Sequence, residues 1–348
     1  MTSGAAESRS DTPAKRILYA PSDRGACVWY RCLTPGTALT DAGHSVRVEW
    51  VLEQDVVDAC DVLVAQRSSH PDIVSVFEYA QSRGTRTVYD IDDDLWNVSP
   101  QNPAHYHWHQ ETPQRVLNAL VRAADVVTTT TPALAERIRT FNKNVVVIPN
   151  MLPEKYWPAS RKVLVHENPL VIGWAGSRTH EEDFAVVSGA LAEILRRYPD
   201  VELHLAGASE DWLEPHERIR HLPPVPIGQY ANLIADFDIA LAPLKVSRFN
   251  HCKSDLKVLE YSMIGLPVVA TKVDSYKSFI RHGQNGMLAN SAKDWLTSIS
   301  RLIEEPGLRE SLAENARASA ERRLMRDHVR LYEKAYGLSP REAAAPRS

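Results

Sequence analysis

The chain has 348 residues and a formal net charge of −4, with 44% hydrophobic and 24% charged residues. That length predicts two domains of ordinary size, and the composition is typical of a soluble globular protein rather than a disordered or fibrous one. The near balance of acidic and basic residues excludes a general attraction to nucleic acid or to anionic lipid.

Cysteine use and the N-terminal sequence predict the compartment. The four cysteines, Cys27, Cys32, Cys60 and Cys252, form no CxxC pair, which argues against a zinc ribbon or a redox site. Four thiols in so long a chain favour a reducing cytoplasm. The first residues hold no apolar run that would predict a signal peptide. No stretch approaches the ~20 apolar residues that span a bilayer, so any membrane contact is expected to be peripheral.

The first half of the chain alternates short apolar runs with helical patterns. Residues 1–14 are small and polar and are expected to form a disordered tail. Strands are predicted at 16–20, 45–51, 62–66, 85–91, 126–129 and 145–148. Helix starts, each a threonine cap followed by proline, are predicted at Thr34-Pro35, Thr112-Pro113 and Thr131-Pro132. Residues 15–150 therefore predict a parallel sheet with helices on both faces.

A second series follows a linker, residues 151–165, rich in proline and polar side chains. Residues 166–324 are expected to form the second domain, with strands at 171–176, 201–207, 238–244 and 267–271. Helices are predicted at 182–197, 230–235, 254–264, 275–281, 292–304 and 308–335. Residues 339–348 are expected to be a second disordered tail. The fold class is therefore α/β, with two doubly wound, Rossmann-like domains facing a central cleft where ligands bind.

Several common site motifs are absent from the sequence. The first strand is followed by PSDRGACVWYR rather than GxGxxG, which argues against a dinucleotide-binding oxidoreductase. There is no GxxxxGK[ST], HExxH or GxSxG, so a P-loop ATPase, a zincin protease and an α/β-hydrolase are not predicted.

The most informative stretch is HCKSDLKVLEYSMIGLPVVAT, residues 251–271. On a helix over Ser254–Ile264, Lys253, Lys257 and Glu260 fall along one stripe. Two cations beside a helix N-terminus favour an anion such as a diphosphate, and Glu260 is placed to accept hydrogen bonds from ribose hydroxyls. The alternative is a solvated face of i,i+4 charge pairs.

Part of this stretch, KVLEYSMIGLPVVAT, is similar to the signature lEAMAxGxPVVAT of retaining GT-B glycosyltransferases, family 4 or glycosyl transferases group 1. Other segments resemble that family in the same order: VVVIPN (145–150), VELHLAGAS (201–209), YANLIADFDIALAPL (230–244) and FIRHGQNGML (279–288). The resemblance implies a nucleotide-sugar donor held mainly by the second domain, retention of anomeric configuration and no required metal. It also implies that the final helix, around residues 325–337, packs back onto the first domain.

The resemblance assigns donor-binding residues one by one. Glu260 matches the second glutamate of the family's paired motif, which binds the ribose. Cys252 stands where the first glutamate, which touches sugar hydroxyls, is expected. The diphosphate-binding arginine of the family corresponds to Arg178, but no lysine follows it in GSRTHEEDF (176–184), so Lys253 and Lys257 are expected to supply the lost charge. The remaining donor-binding candidates are Gly25, Gly176, Ser177, Lys253 and Ser254, with Gly25 bringing backbone N–H groups to phosphate.

The acid-rich run DIDDD (90–94) carries the remaining chemistry. Asp92 aligns with a histidine that the family places near the reacting carbon, so Asp92, Arg178 and Lys257 are the catalytic candidates. A carboxylate there would orient or deprotonate an acceptor hydroxyl, or stabilise positive charge on the sugar. Two alternatives are a Mg²⁺ or Mn²⁺ site at Asp92 and Asp94 and a capped acidic turn.

The acceptor side is assigned to Arg31, Asp94, Trp96 and His107. In HYHWHQ (105–110), three histidines at alternate positions predict an aromatic loop beside the acceptor, with a metal site as the alternative.

The sequence thus predicts a cytoplasmic, metal-independent retaining glycosyltransferase. It would move a sugar from a UDP-, GDP- or ADP-linked donor to a hydroxyl of a glycan, lipid, small molecule or protein, and would bind no nucleic acid. The alternatives are a non-catalytic nucleotide-sugar-binding protein, favoured by Cys252, and a nucleotide-sugar epimerase or hydrolase on the same scaffold.

Overall fold

The computed structural model describes residues 14–157, 169–207 and 213–338. Within them the chain forms two six-stranded parallel sheets flanked by helices, which confirms the predicted fold class. The predicted tails, apart from residue 14, and the second half of the predicted linker lie outside the described residues.

The first sheet has the strand order β2-β1-β3-β4-β5-β6. Its strands are β1 Arg16–Pro21, β2 Ser45–Val48, β3 Val62–Gln66, β4 Arg86–Ile91, β5 Val126–Thr129 and β6 Val145–Val147. Its helices are Ala26–Val28 continuing through a π-turn Trp29–Leu33 into Thr34–Asp41, then Gln54–Asp58, Asp72–Ser82, His105–Trp108, Glu111–Ala123 and Pro132–Ile138. The central strand β3 is buried at every position, because helices cover both faces of a parallel sheet.

The three predicted helix caps have different outcomes. The side chain of Thr131 accepts a hydrogen bond from the backbone N–H of Leu134 at 3.2 Å, so this cap is confirmed. Thr34 is not a cap, because the chain is already helical before it and its backbone is in the αR region. Thr112 lies inside a helix that Gln110 precedes in extended conformation.

The second sheet has the order β12-β11-β10-β7-β8-β9. Its strands are β7 Leu170–Ala175, β8 Val201–Ala206, β9 Ile219–Leu222, β10 Ile239–Ala242, β11 Val268–Thr271 and β12 Met287–Ala289. Its helices are Glu181–Arg197, Tyr230–Ile234, Arg248–His251, Leu256–Ile264, Asp274–Phe279, Ala292–Glu304 and Pro306–Ala320. The two edge strands β9 and β12 are absent from the sequence-based prediction.

The helix predicted over 308–335 is two helices in the structure. Two 3₁₀ turns follow Pro306–Ala320, and a last helix covers Val329–Tyr336. The break lets the chain cross back to the first domain, where the Tyr336 hydroxyl lies 3.1 Å from that of Tyr19 on β1.

Arg31 is part of the buried core of the first domain rather than the acceptor side, which corrects its assignment. Its guanidinium pairs with the Asp90 carboxylate at 2.7 Å, and the two side chains are 0% and 1% exposed. Asp90 also accepts from the Thr128 hydroxyl, and Arg31 donates to the Ile148 carbonyl. The buried guanidinium and carboxylate are tolerated because they pair with each other and make further hydrogen bonds.

The buried pair gives a first prediction. Asp90→Asn keeps the volume but leaves the Arg31 charge uncompensated, so we expect the free energy of unfolding to fall by about 3–5 kcal/mol. Urea denaturation measures the loss. Asp61→Asn is the matched control, because its partner Arg16 is 57% exposed in the same sheet; it should change stability far less. Equal losses in the two variants would contradict the structural role of the buried pair.

Candidate active site

A large cavity lies between the two domains, where the carboxyl ends of both sheets meet. Its volume is about 1220 Å³, and its walls come from segments of both domains. Small-molecule sites are typically about 300–1,000 Å³, so this cavity has room for two substrates side by side.

The second domain presents an open helix end to this cavity. The helix Leu256–Ile264 has no side-chain cap at Asp255 and no acidic residue in its first turn. Ser254, Leu256 and Lys257 line the cavity at that end. The unpaired backbone N–H groups and the helix dipole therefore favour an anion there, as the sequence predicts.

Lys257 and Glu260 are brought together one turn apart on this helix, and both line the cavity. The Lys257 ammonium donates to the carbonyl of Ala175 at the end of β7. Burial lowers the pKa of Lys257 to about 8 and raises the pKa of Glu260 to about 7, each opposing the charged form. The Glu260 carboxylate accepts a 2.6 Å hydrogen bond from the hydroxyl of Tyr30 in the first domain. The sequence prediction omits Tyr30 because this contact joins residues 230 positions apart.

A second charged cluster faces the helix end from the first domain. The Arg67 guanidinium lies 3.3 Å from an Asp92 carboxylate oxygen and 3.6 Å from one of Asp93. Lys253 of the second domain lies 3.6 Å from the other Asp93 oxygen. All four residues line the cavity. Arg67 is the one non-glycine residue with positive φ among the described residues, at 50°; such strain is typical of functional sites.

Burial raises the pKa of Asp92, with Arg67 opposing that shift. Neither Arg67 nor Asp93 is a sequence-based candidate. No local pattern marks Arg67, whereas Asp93 belongs to the acid-rich run DIDDD and could have been identified from it.

His180 is a further cavity residue that sequence reasoning missed. Its Nδ1 lies 2.8 Å from an Asp183 carboxylate oxygen, which fixes the orientation of the imidazole. Burial and the nearby charge of Lys253 lower its pKa to about 4, so the ring is neutral at neutral pH.

The predicted donor glycines have different surroundings. Gly176 lines the cavity beside Ser177, and a Cβ there would come within 2.5 Å of the Trp174 indole, so the position requires glycine. Gly25 also lines the cavity, but its N–H donates to the Asp23 carboxylate at 2.6 Å. Backbone donation by Gly25 to a phosphate would therefore require Asp23 to move.

Two predicted acceptor-side residues are turned into the first domain. Asp94 is buried and accepts from the Asn97 amide at 2.8 Å. Trp96 stacks on Phe141 with ring centroids 5.1 Å apart. Neither is among the residues that line the cavity, which corrects both assignments. The predicted loop is helical at His105–Trp108, and His107 points to Ser69 at the surface rather than into the cavity.

Two other sequence candidates are placed as follows. The backbone of Arg178 lies in the 3₁₀ turn Arg178–His180, but its side chain is outside the part of the chain that the structure describes. Cys252 packs into the core of the first domain, and Thr131 of that domain donates to its carbonyl.

The metal alternatives predicted from the sequence concern Asp92 with Asp94 and the three histidines of residues 105–110. Among the described residues, no three His, Cys, Asp or Glu side chains are grouped as metal ligands. Asp92 faces Arg67 while Asp94 faces Asn97, and His105 and His109 both point to the carbonyl of Val98. Metal independence stays a prediction. Over the same residues, every helix is too short or too polar to span a bilayer.

Parts of the chain are similar in sequence to known proteins. Residues 169–305 match the family model of Glycosyl transferases group 1. A D-inositol 3-phosphate glycosyltransferase from Actinosynnema mirum is 35% identical over 100 residues, which are 28% of this chain and 23% of the relative. The same enzyme from Corynebacterium urealyticum is 24% identical over 273 residues, which are 66% of this chain and 63% of the relative. The chain thus spans less than two thirds of the length of these curated relatives.

Two solved structures show the same architecture. Anabaena Alr3699/HepE in complex with UDP and glucose superposes with a TM-score of 0.66 at 18% identity, covering 92% of this chain and 100% of that one. Sucrose-phosphate synthase (tll1590) from Thermosynechococcus elongatus gives a TM-score of 0.67 at 15% identity, covering 93% and 100%. At such identities the likeness concerns the fold.

The buried carboxylate gives a second prediction. The folded chain keeps the Glu260 proton up to a pKa of about 7, whereas the unfolded chain releases it near 4.5. Stability is therefore lost as pH rises through this window. Glu260→Gln removes this loss, so at pH 8 it should raise the free energy of unfolding by about 1–3 kcal/mol.

The measurement is urea denaturation of both proteins from pH 5 to pH 8. Glu78→Gln, on the exposed face of the helix Asp72–Ser82, is the control and should not change the pH dependence. A Glu260→Gln variant that keeps the wild-type slope would show that the carboxylate is solvated rather than buried.

Proposed function

We propose that this chain, which has the GT-B fold and matches the Glycosyl transferases group 1 family model over residues 169–305, is a retaining glycosyltransferase. It moves a sugar from a nucleotide-sugar donor to an acceptor hydroxyl in the interdomain cavity, without a metal. The observation that carries the proposal is the convergence of Lys257, Glu260 and an open helix end on that cavity.

The donor nucleotide lies along the second domain. Its diphosphate accepts from the N–H groups at the start of Leu256–Ile264 and is paired by Lys257, while Glu260 accepts from the ribose. The solved relative Alr3699/HepE was crystallised with UDP and with UDP-glucose, so a UDP-hexose is the first donor to test, ahead of GDP- and ADP-linked sugars.

The difficult step is the departure of the nucleoside diphosphate from the anomeric carbon. Negative charge grows on the leaving phosphate while the sugar ring becomes positive. Lys257 and the helix end are preorganised for the first charge, and the Asp92 carboxylate lies on the other side of the cavity for the second. Because burial excludes water, these fixed charges act more strongly than they would in solution.

The acceptor is a hydroxyl compound bound on the first-domain side, taken from the classes of glycan, lipid, small molecule or protein. The curated relatives are named for D-inositol 3-phosphate, which makes that compound the first acceptor to test.

Two other functions would use the same donor site. Because Cys252 is packed in the first-domain core and offers no carboxylate to a sugar, the protein is either catalytic by other residues or a nucleotide-sugar-binding protein. The other function is that of a nucleotide-sugar epimerase or hydrolase.

One experiment separates these activities. Purified protein is incubated with UDP-, GDP- and ADP-glucose, with and without D-inositol 3-phosphate and simple glycosides. Product is identified by mass spectrometry and binding by thermal shift. Transfer, or slow donor hydrolysis that an acceptor suppresses, supports the proposal. Binding without turnover supports the binding protein, and an altered sugar on the nucleotide supports the epimerase. Hydrolysis that no acceptor redirects supports the hydrolase.

Lys257 gives a third prediction. Lys257→Met should lower kcat/KM for the donor about 10²–10³-fold, because it removes a fixed positive charge from the leaving group. Lys277→Met is the matched control, since Lys277 lies 45% exposed on the same domain and pairs with Asp274. Initial rates with the active donor measure both. Wild-type rates in Lys257→Met would contradict the assignment.

The pH dependence gives a fourth prediction. With its pKa at about 8, Lys257 loses its charge as pH rises. Donor kcat/KM of the wild type should therefore fall above about pH 8, because this parameter reports groups of the free enzyme. In Lys257→Arg the guanidinium stays charged, and the alkaline fall should shift to higher pH or disappear. An alkaline limb unchanged in Lys257→Arg would assign it to another group.

A further inference from the structure

Asp93 is the cavity carboxylate that is held from both domains. One oxygen lies 3.6 Å from the Arg67 guanidinium of its own domain, and the other lies 3.6 Å from the Lys253 ammonium of the second domain. The Asp93 and Lys253 side chains are 19% and 13% exposed. The carboxylate is therefore fixed in direction while still reaching the cavity that it lines.

The same cations decide its charge. Burial opposes ionisation of Asp93, but the charges of Lys253 and Arg67 bring its pKa below the ordinary value. The neighbouring Asp92, with Arg67 as its cation, has a raised pKa. Of the two adjacent acids, Asp93 is thus the better anionic hydrogen-bond acceptor.

The location of Asp93 points to the sugar rather than to the nucleotide. Lys253, which pairs with it, precedes the open end of the helix Leu256–Ile264, where the diphosphate is proposed to lie. Glu260, the proposed ribose ligand, is about one turn into that helix and accepts a hydrogen bond from the Tyr30 hydroxyl. A diphosphate at this helix end would lie between Glu260 and Asp93, so the carboxylate would face the group attached to that diphosphate.

A carboxylate has about four acceptor positions, and two cations at 3.6 Å leave positions for hydroxyl donors. We propose that Asp93 binds hydroxyl groups of the transferred sugar and determines which donor sugar is accepted. This inference rests on the proposed function. Because Lys253 and Asp93 belong to different domains, the sugar contact depends on the arrangement of the two domains in this structure.

The test compares a nucleoside diphosphate with its sugar ester. Calorimetry gives the dissociation constants of UDP and UDP-glucose, and of the GDP and ADP pairs, for wild type, Asp93→Asn and Asp93→Glu. We expect Asp93→Asn to weaken the glucose ester roughly tenfold or more, as for loss of a hydrogen bond to a charged group, and to leave the diphosphate alone within about threefold.

Asp93→Glu keeps the charge but displaces the carboxylate by one methylene, so it should show the same selective loss even if Asp93→Asn folds poorly. Asp41→Asn, which removes an exposed carboxylate at the end of the helix Thr34–Asp41, is the control and should bind both ligands like wild type.

A second readout is specificity among sugars. The ratio of kcat/KM for the glucose and galactose esters of the accepted nucleotide should move toward one in both Asp93 variants. Equal weakening of diphosphate and sugar ester, or unchanged ratios in folded variants, would overturn the role of Asp93 while leaving the proposed function intact. Absence of binding of all six ligands to wild type would overturn the proposed function, and this inference with it.

Discussion

The site depends on one constraint: charges removed from water need partners, and here those partners come from opposite domains. Asp93 of the first domain meets Lys253 of the second, and Tyr30 of the first meets Glu260 of the second. Each pair holds the two lobes together at the place where substrates would bind. Desolvated charges without such partners would cost several kcal/mol each, so these contacts between the domains also stabilise the charged groups of the cavity.

The connection between the lobes is built from the same kind of contact. Asn150 follows the first sheet; its side chain accepts from buried Arg31 and donates to the Ser254 hydroxyl, just before the donor helix. Its carbonyl accepts from Arg323, whose guanidinium also pairs with Asp255. A rigid core pair in one domain is thus linked through a single amide to the helix end that faces the proposed diphosphate.

The two residues proposed to bind the donor nucleotide, Lys257 and Glu260, ionise less readily than they would in water. Burial opposes the charge of Lys257 and that of Glu260, and Glu260 is only 6% exposed. An anion at Lys257 and ribose hydroxyls at Glu260 would each favour the charged form. Such groups illustrate why residues kept for function commonly lower the stability of the fold that holds them.

Sequence by itself determined the elements and much of the second-domain wall. Strand runs such as 62–66 and the helix at 292–304 match the structure because buried strands and amphipathic helices have strong local patterns. Lys257 and Glu260 were identified because helical spacing places them on one stripe.

The tertiary structure determined side-chain burial and contacts that local sequence patterns do not predict. It turned Arg31, Asp94 and Trp96 inward and Cys252 into the other domain's core, and it brought Arg67 and Asp93 to the cavity. The reason is physical: whether a charged side chain is buried or faces a ligand depends on distant partners, which for Glu260 means a tyrosine 230 residues away. The spacing of residues within one helix or strand does not identify such a partner.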